Sequence, residues 1–200
     1  MNAAAGRVVV ASGNRGKLAE FERLLGGTGL EFIAQGDLGV EDIEETGLTF
    51  VENALLKARH AARVTGLPAL ADDSGLCVDA LDGAPGLYSA RYAGGHGDAV
   101  ANIARLLQEL DGVPDPGRGA HFHCTLALLR HPADPRPLLA QGEWHGRILH
   151  APRGAGGFGY DPVFLDPATG LTAAELDPGA KARTSHRGQA LDRLRDAWRC

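Results

Sequence analysis

Two short stretches of this 200-residue chain bring together residue types suited to phosphate and metal chemistry. Ser12-Gly13-Asn14-Arg15-Gly16-Lys17 follows an apolar run, Arg7 to Ala11, and precedes a helical pattern. Backbone N–H groups at a helix N-terminus face outward, and the helix dipole favours an anion there. Gly13 and Gly16 let an anion approach the backbone, Ser12 and Asn14 can donate hydrogen bonds, and Lys17 adds charge. It is not a P-loop, because Leu18 stands where that motif needs Ser or Thr. A plain strand-to-helix turn capped by Asn14 explains the same residues. The second stretch, Asp72-Asp73-Ser74-Gly75, ends an apolar strand over Ala69 to Ala71. Adjacent carboxylates are costly unless a cation neutralises them, and Mg²⁺ shared with substrate phosphates suits oxygen ligands. The alternative is a turn in which one Asp caps backbone N–H groups.

Four further groups extend this chemistry. Glu44-Glu45 lies in an acidic loop and offers another ligand, or a solvated acidic face. Asn53 and Lys57, four apart, share one face of a helix. Gly154 to Asp161 formally contains G-x-G-x-x-G, but Pro162 and a β pattern follow rather than a helix, which rejects the dinucleotide fingerprint. That loop instead presents Phe158 and Tyr160, and an aromatic face can stack on a base. Lys181 and Ser185-His186-Arg187-Gly188 place cations near the start of the last helix, where they are locally unfavourable, so base recognition is the stronger reading. His121, His123 and Cys124 resemble a metal cluster, but His121 and His123 face one side of a strand and Cys124 the other. Ser74 has no histidine placed as its base and is read as a binding group.

Composition narrows the function. With 20 basic against 25 acidic residues and a net charge of -5, general nucleic-acid binding is excluded. No segment approaches a membrane span, and the first residues do not read as a signal peptide. Three cysteines without C-x-x-C spacing fit a reducing cytoplasm rather than a disulfide framework. Lysine occurs only at positions 17, 57 and 181 in a chain that otherwise uses arginine. A compact ammonium suits phosphate oxygens, so these three are candidates for a site.

The positioning elements follow from periodicity. Strands are expected at Arg7 to Ala11, Leu30 to Ala34, Ala69 to Ala71, Leu76 to Leu81 and Val163 to Leu165. His121 to Arg130 and Pro137 to Leu149 form an expected antiparallel pair around a Pro-rich turn. Helices are expected from about Arg15 to Leu25, Thr49 to Thr65 with a T-x-x-E capping box, and Asp98 to Leu110. The last helix starts near Ser185, with Leu191, Leu194 and Trp198 inward. The pattern predicts one α/β domain over residues 1–200, with a mixed twisted sheet and two lobes around a central substrate cleft.

Taken in register, these motifs resemble the inosine/xanthosine triphosphate pyrophosphatase family. The match is carried by SGNRGK at 12–17, EETGLTFVENA at 44–54, ADDSGL at 71–76, GAPGLYSARY at 83–92, GGFGYD at 156–161 and SHRGQAL at 185–191. The resemblance implies an α/β fold with a central cleft, usually a homodimer, and Mg²⁺-dependent hydrolysis of ITP, dITP and XTP to the monophosphate and pyrophosphate. Carried over by position, it implies that residues 12–17 and Lys57 hold the triphosphate and that Ser74 contacts substrate. Asp73 would be the catalytic group, and Glu44 with Asp73 would bind Mg²⁺. Phe158, Gly159, Tyr160, Asp161, Lys181, His186 and Arg187 would meet the base.

Overall fold

The computed structural model describes residues 6–14, 17, 18, 21, 29–95 and 97–199. Six strands form one mixed sheet in the order β2-β1-β3-β4-β5-β6. These are β1 (Arg7–Ala11), β2 (Glu31–Ala34), β3 (Ala69–Val78), β4 (Gly119–Leu129), β5 (Leu138–Ile148) and β6 (Phe164–Leu165). Strand β1 runs parallel to both β2 and β3, whereas β5 and β6 are antiparallel. The mixed α/β sheet is the expected one. The chain divides into two compact units, the first built from residues 1–73, 124–141 and 187–200 and the second from 74–123 and 142–186.

The first unit is three layers deep because its strands alternate buried side chains between two faces. Val9, Ala11, Ala69, Ala71, Ala127 and Leu129 pack with the alanine face of helix α1 (Phe50–Thr65), formed by Ala54, Ala58, Ala61 and Ala62. Val8, Val10, Leu70, Cys124, Leu126 and Leu128 pack on the other face with Phe21 and with Ala190, Leu191 and Leu194. Those last three belong to the final helix, α4 (His186–Arg199), defined after α2 (Ala99–Glu109) and α3 (Pro178–Thr184). Helix α1 starts and stops where its sequence says: Thr49 accepts the Glu52 N–H, and Gly66 takes a left-handed conformation at its end.

The second unit is built on one core, in which Leu76, Val78, Ala120, Phe122, Trp144 and Ile148 meet Ile103, Leu106 and Leu110. The last three are α2 and its cap, and Asp98 caps that helix by accepting the Ala101 N–H. Along β4 and β5, Thr125 meets Gln141, His123 meets Glu143 and His121 meets His145. One number rises as the other falls, which is an antiparallel register.

Four expectations change. The two strands expected either side of Asp72 to Gly75 are a single strand, β3, and a 3-10 turn takes Asp79–Leu81. The carboxylates therefore lie within a strand rather than on a turn at its end. The loop after β2 begins with a 3-10 turn, Gln35–Leu38. Trp198 is 40 % exposed, because the core that receives Leu191 and Leu194 ends one turn earlier. Lys181 lies in a separate helix, α3, begun by Pro178 and capped by Asp177, which the sequence reading did not anticipate. Most of the first expected helix, with Arg15, Gly16 and the Gly26-Gly27 stop, lies outside the described residues, although Lys17, Leu18 and Phe21 are helical.

Candidate active site

Strand alternation separates the adjacent carboxylates. Asp72 shares the face of Leu70, and Asp73 that of Ala69 and Ala71. Asp72, 1 % exposed, meets the Lys17 Nζ at 2.9 Å and the Arg187 Nη2 at 3.5 Å through its Oδ2. Burial pushes its carboxyl upward, but Lys17, Arg187 and Lys57 outweigh that and hold it well below the usual carboxylate range. Asp72 is thus a buried counter-ion for two cations.

Asp73 faces α1. Its Oδ2 accepts from the Asn53 Nδ2 at 3.2 Å and its Oδ1 from the Lys57 Nζ at 3.1 Å. The Lys57 Nζ also donates to the Glu45 Oε1 at 2.6 Å. Burial raises the Asp73 carboxyl, Lys57 and Lys17 pull it down, Glu45 adds to the rise, and the net direction is up. Lys57 itself is disfavoured by burial yet raised overall by Asp73, Asp72 and Glu45. Two carboxylates thus converge on one ammonium, which leaves excess negative charge and hard oxygen donors. That set fits Mg²⁺, which is held by one or two carboxylates together with substrate phosphates. Glu45 makes the bond to Lys57, while Glu44 next to it is exposed. The residues alone do not separate these neighbours, and the family resemblance singles out Glu44. The signal for Asn53 was its four-residue spacing from Lys57 on one helix face.

The 12–17 segment does local work in this structure. The Asn14 Oδ1 accepts the Lys17 N–H at 3.2 Å, the Ser12 hydroxyl accepts the Asn14 N–H at 3.3 Å, and Gly13 is exposed. These bonds are those of the capping reading, and an anion site uses the same backbone geometry. Ser74 follows Asp73 along β3 and is partly exposed.

The base-reading candidates in the second unit are Phe158 to Asp161, Lys181 and His186. The Asp161 Oδ2 accepts from the Lys181 Nζ at 2.5 Å and from the Phe158 N–H at 2.7 Å. The Lys181 ammonium lies 5.2 Å from the Phe158 ring centroid. Phe158 is 39 % exposed, so its ring is available to stack. Gly157 has φ of 73°, and a Cβ there would strike the Asp161 carboxylate. Gly159 is partly exposed, and the buried Tyr160 hydroxyl donates to the Ser89 carbonyl at 3.0 Å. Lys181 sits in the last turn of α3, where a cation is favourable, so the misfit suspected for it at a helix start disappears. His186 is buried and stacks on Phe122 with ring centroids 4.9 Å apart. Arg187 belongs to the first unit and is tied to Asp72. All three lysines of the chain are thus paired with an aspartate.

The histidine pair in β4 gains neighbours that spacing did not show. Glu143 meets both His123 and His145, at 3.4 and 3.3 Å. Among the described residues, however, no three His, Cys, Asp or Glu side chains form a group that could hold a metal ion.

Comparison with known proteins gives the family and the fold. The Ham1 family model matches residues 8–197. This chain belongs to the Ham1 family. It is 64% identical to a dITP/XTP pyrophosphatase of Xanthomonas oryzae pv. oryzae, over 94% of both chains. A protein of the same name from Yersinia pestis is 59% identical over 96% of this chain and 98% of its own. Among solved structures, a HAM1 protein from Coxiella burnetii superposes with a TM-score of 0.89 at 52% identity, covering 96% of this chain and 98% of that one.

Proposed function

We propose that this chain hydrolyses purine nucleoside triphosphates carrying a 6-oxo base (ITP, dITP and XTP) to the monophosphate and pyrophosphate, and so removes them from the nucleotide pool. The observation that carries this reading is Asp73, a buried carboxylate gripped through both oxygens and kept more basic than an ordinary aspartate. The dITP/XTP pyrophosphatase names of the relatives supply the substrate class.

In this reading Asp73 orients a water molecule and takes up its proton, a role suited to a carboxylate whose basicity is raised. Lys17 and Lys57, with the 12–17 turn and Ser74, hold the phosphates. Such hydrolysis rests on positioning and charge neutralisation more than on covalent catalysis. Mg²⁺, held by Asp73 with a carboxylate of the Glu44–Glu45 pair, would neutralise charge on the phosphate oxygens. Phe158 stacks on the base. Lys181, held by Asp161, donates to an acceptor at the 6-position, with His186 completing recognition, so the 6-amino group of adenine is refused.

Incubation with Mg²⁺ and ITP should release pyrophosphate rather than phosphate, with XTP and dITP turned over far faster than ATP. Asp73→Asn should lower turnover by about 10²–10⁴-fold, the usual worth of a positioned general base. Unchanged turnover in that variant removes Asp73 from the mechanism, and absence of pyrophosphate with the unaltered protein removes the activity.

A further inference from the structure

Two side chains one turn apart on α1 make parallel bridges between Asp73 and the loop that carries Glu44 and Glu45. Lys57 makes the charged bridge, joining the Asp73 Oδ1 to the Glu45 Oε1. Asn53 makes the neutral one. Its Nδ2 donates to the Asp73 Oδ2 at 3.2 Å, and its Oδ1 accepts the Gly47 N–H at 2.8 Å. Asn53 is 1 % exposed, so neither bond competes with bulk water.

We infer that Asn53 is a positioning residue for the hydrolytic site, fixing the orientation of the Asp73 carboxylate and the register of the Glu44–Gly47 loop together. This rests on the assignment of Asp73 made above. The physical argument begins with the amide itself. A backbone N–H can only be met by an acceptor, so the Gly47 bond takes the Asn53 oxygen and forces its NH₂ towards Asp73. The side chain therefore has one orientation. A carboxylate held by a lysine alone can still pivot, whereas one held through both oxygens from a single helix cannot. Reaction geometry is sensitive to displacements well below an ångström, so that restraint belongs to catalysis as well as to folding.

The loop is shaped to reach this contact. A Cβ on Gly47 would lie 2.6 Å from the Asn53 Oδ1 and 2.6 Å from the Glu52 Cβ, so only glycine lets the backbone come so close. The rest of the helix start also holds the loop down: the Glu52 carboxylate accepts the Leu48 N–H at 2.8 Å and the Thr49 hydroxyl at 3.0 Å. Asn53 is the residue of this start that also reaches Asp73.

Three variants test the inference. Asn53→Asp keeps the shape and the acceptor for Gly47 but replaces the donor to Asp73 with a second carboxylate oxygen. Asn53→Ala removes both bonds. Gly47→Ala forces the loop and the helix start apart while keeping the Asn53 side chain. Kinetics are followed by pyrophosphate release from ITP, and the Gly47 amide by hydrogen exchange in protein free of metal and nucleotide. Asn53→Asp should lower kcat at least tenfold with KM within threefold and Gly47 still protected. Asn53→Ala should lower kcat similarly and also speed Gly47 exchange at least tenfold. A purely structural role would lower Tm yet leave kcat unchanged well below it. The inference is overturned if folded Asn53→Asp and Asn53→Ala keep kcat within twofold, or if KM rises while kcat stays. Should both fail to fold, Gly47→Ala decides: a tenfold fall in kcat supports the bridge, and an unchanged kcat removes it. If the unaltered protein releases no pyrophosphate, the proposed activity fails by itself, and Gly47 exchange in Asn53→Ala and Asp73→Ala still reports whether Asn53 couples loop to carboxylate. Faster exchange in both supports that coupling, and unchanged exchange in both overturns it.

Discussion

At the scale of single residues, the adjacent aspartates have opposite tasks. Asp73 is the candidate catalytic group, and burial, helped by Glu45, raises its carboxyl above that of an ordinary aspartate. Asp72 supports the fold by neutralising Lys17 and Arg187, the latter 1 % exposed. Removing one partner of a buried ion pair strands the other charge, at a cost of about 3–5 kcal/mol. Asp72→Asn should therefore lower the stability measured by urea unfolding by roughly that amount, while Asp73→Asn loses activity and keeps a near-native unfolding midpoint. Equal, small stability losses in the two variants would refute the division of labour. Cys124 shows how closed the face around Asp72 is: burial pushes its thiol up to about 12, so it is an unreactive core residue.

At the scale of elements, the turn joining β4 to β5 is held by one carboxylate. The Asp134 Oδ2 accepts the Arg130 N–H at 3.0 Å and its Nε at 2.8 Å, and the Oδ1 accepts the Arg130 Nη2 at 2.6 Å and the Arg136 N–H at 2.9 Å. Hydrogen bonds from Arg130 hold this carboxyl well below the usual range, against burial. A carboxyl depressed on folding adds stability above its unfolded value and loses it as pH falls through the folded one. Asp134→Ala should cost about 1–3 kcal/mol at pH 7. In thermal unfolding, the gap between variant and unaltered protein should close as pH drops through and below the carboxylate range. A gap independent of pH would show that the turn is held by something other than this carboxylate. The turn matters because it fixes the β4–β5 register, and a slip of one residue would exchange the core face carrying Phe122 and Trp144 with the face carrying His123 and Glu143.

At the scale of the whole molecule, the first unit buries side chains on both faces of its strands and the second on one. The chain enters each unit more than once, and β3, β4 and β5 each contribute residues to both. Among the described residues no helix is long and apolar enough to cross a membrane. Among the described residues, Cys77 and Cys124 are free thiols. The homodimer implied by the family resemblance predicts about twice the chain mass of 20.9 kDa by light scattering after gel filtration. A monomer at micromolar concentration would contradict it.

The sequence by itself determined most of the elements and the list of chemical groups. Helix α1 was legible because the capping box, the alanine face and Gly66 all agree, and local signals of that kind act within a few residues. The β4–β5 pair was legible from two β-patterned runs around a Pro-rich turn. The strand through Asp72 and Asp73 reads as broken in the sequence, because charged residues look like a turn until their partners are known. Only the tertiary structure supplied those partners. Lys17 and Arg187 are 55 and 115 positions from Asp72, and Asn53 and Lys57 are 20 and 16 from Asp73. No local pattern encodes such distances. Alternation along β3 sends the two carboxylates to opposite faces, but what waits on each face is decided by which helix packs there. That is why adjacency suggested one shared cation, and the fold made one residue a counter-ion and the other the centre of a candidate active site.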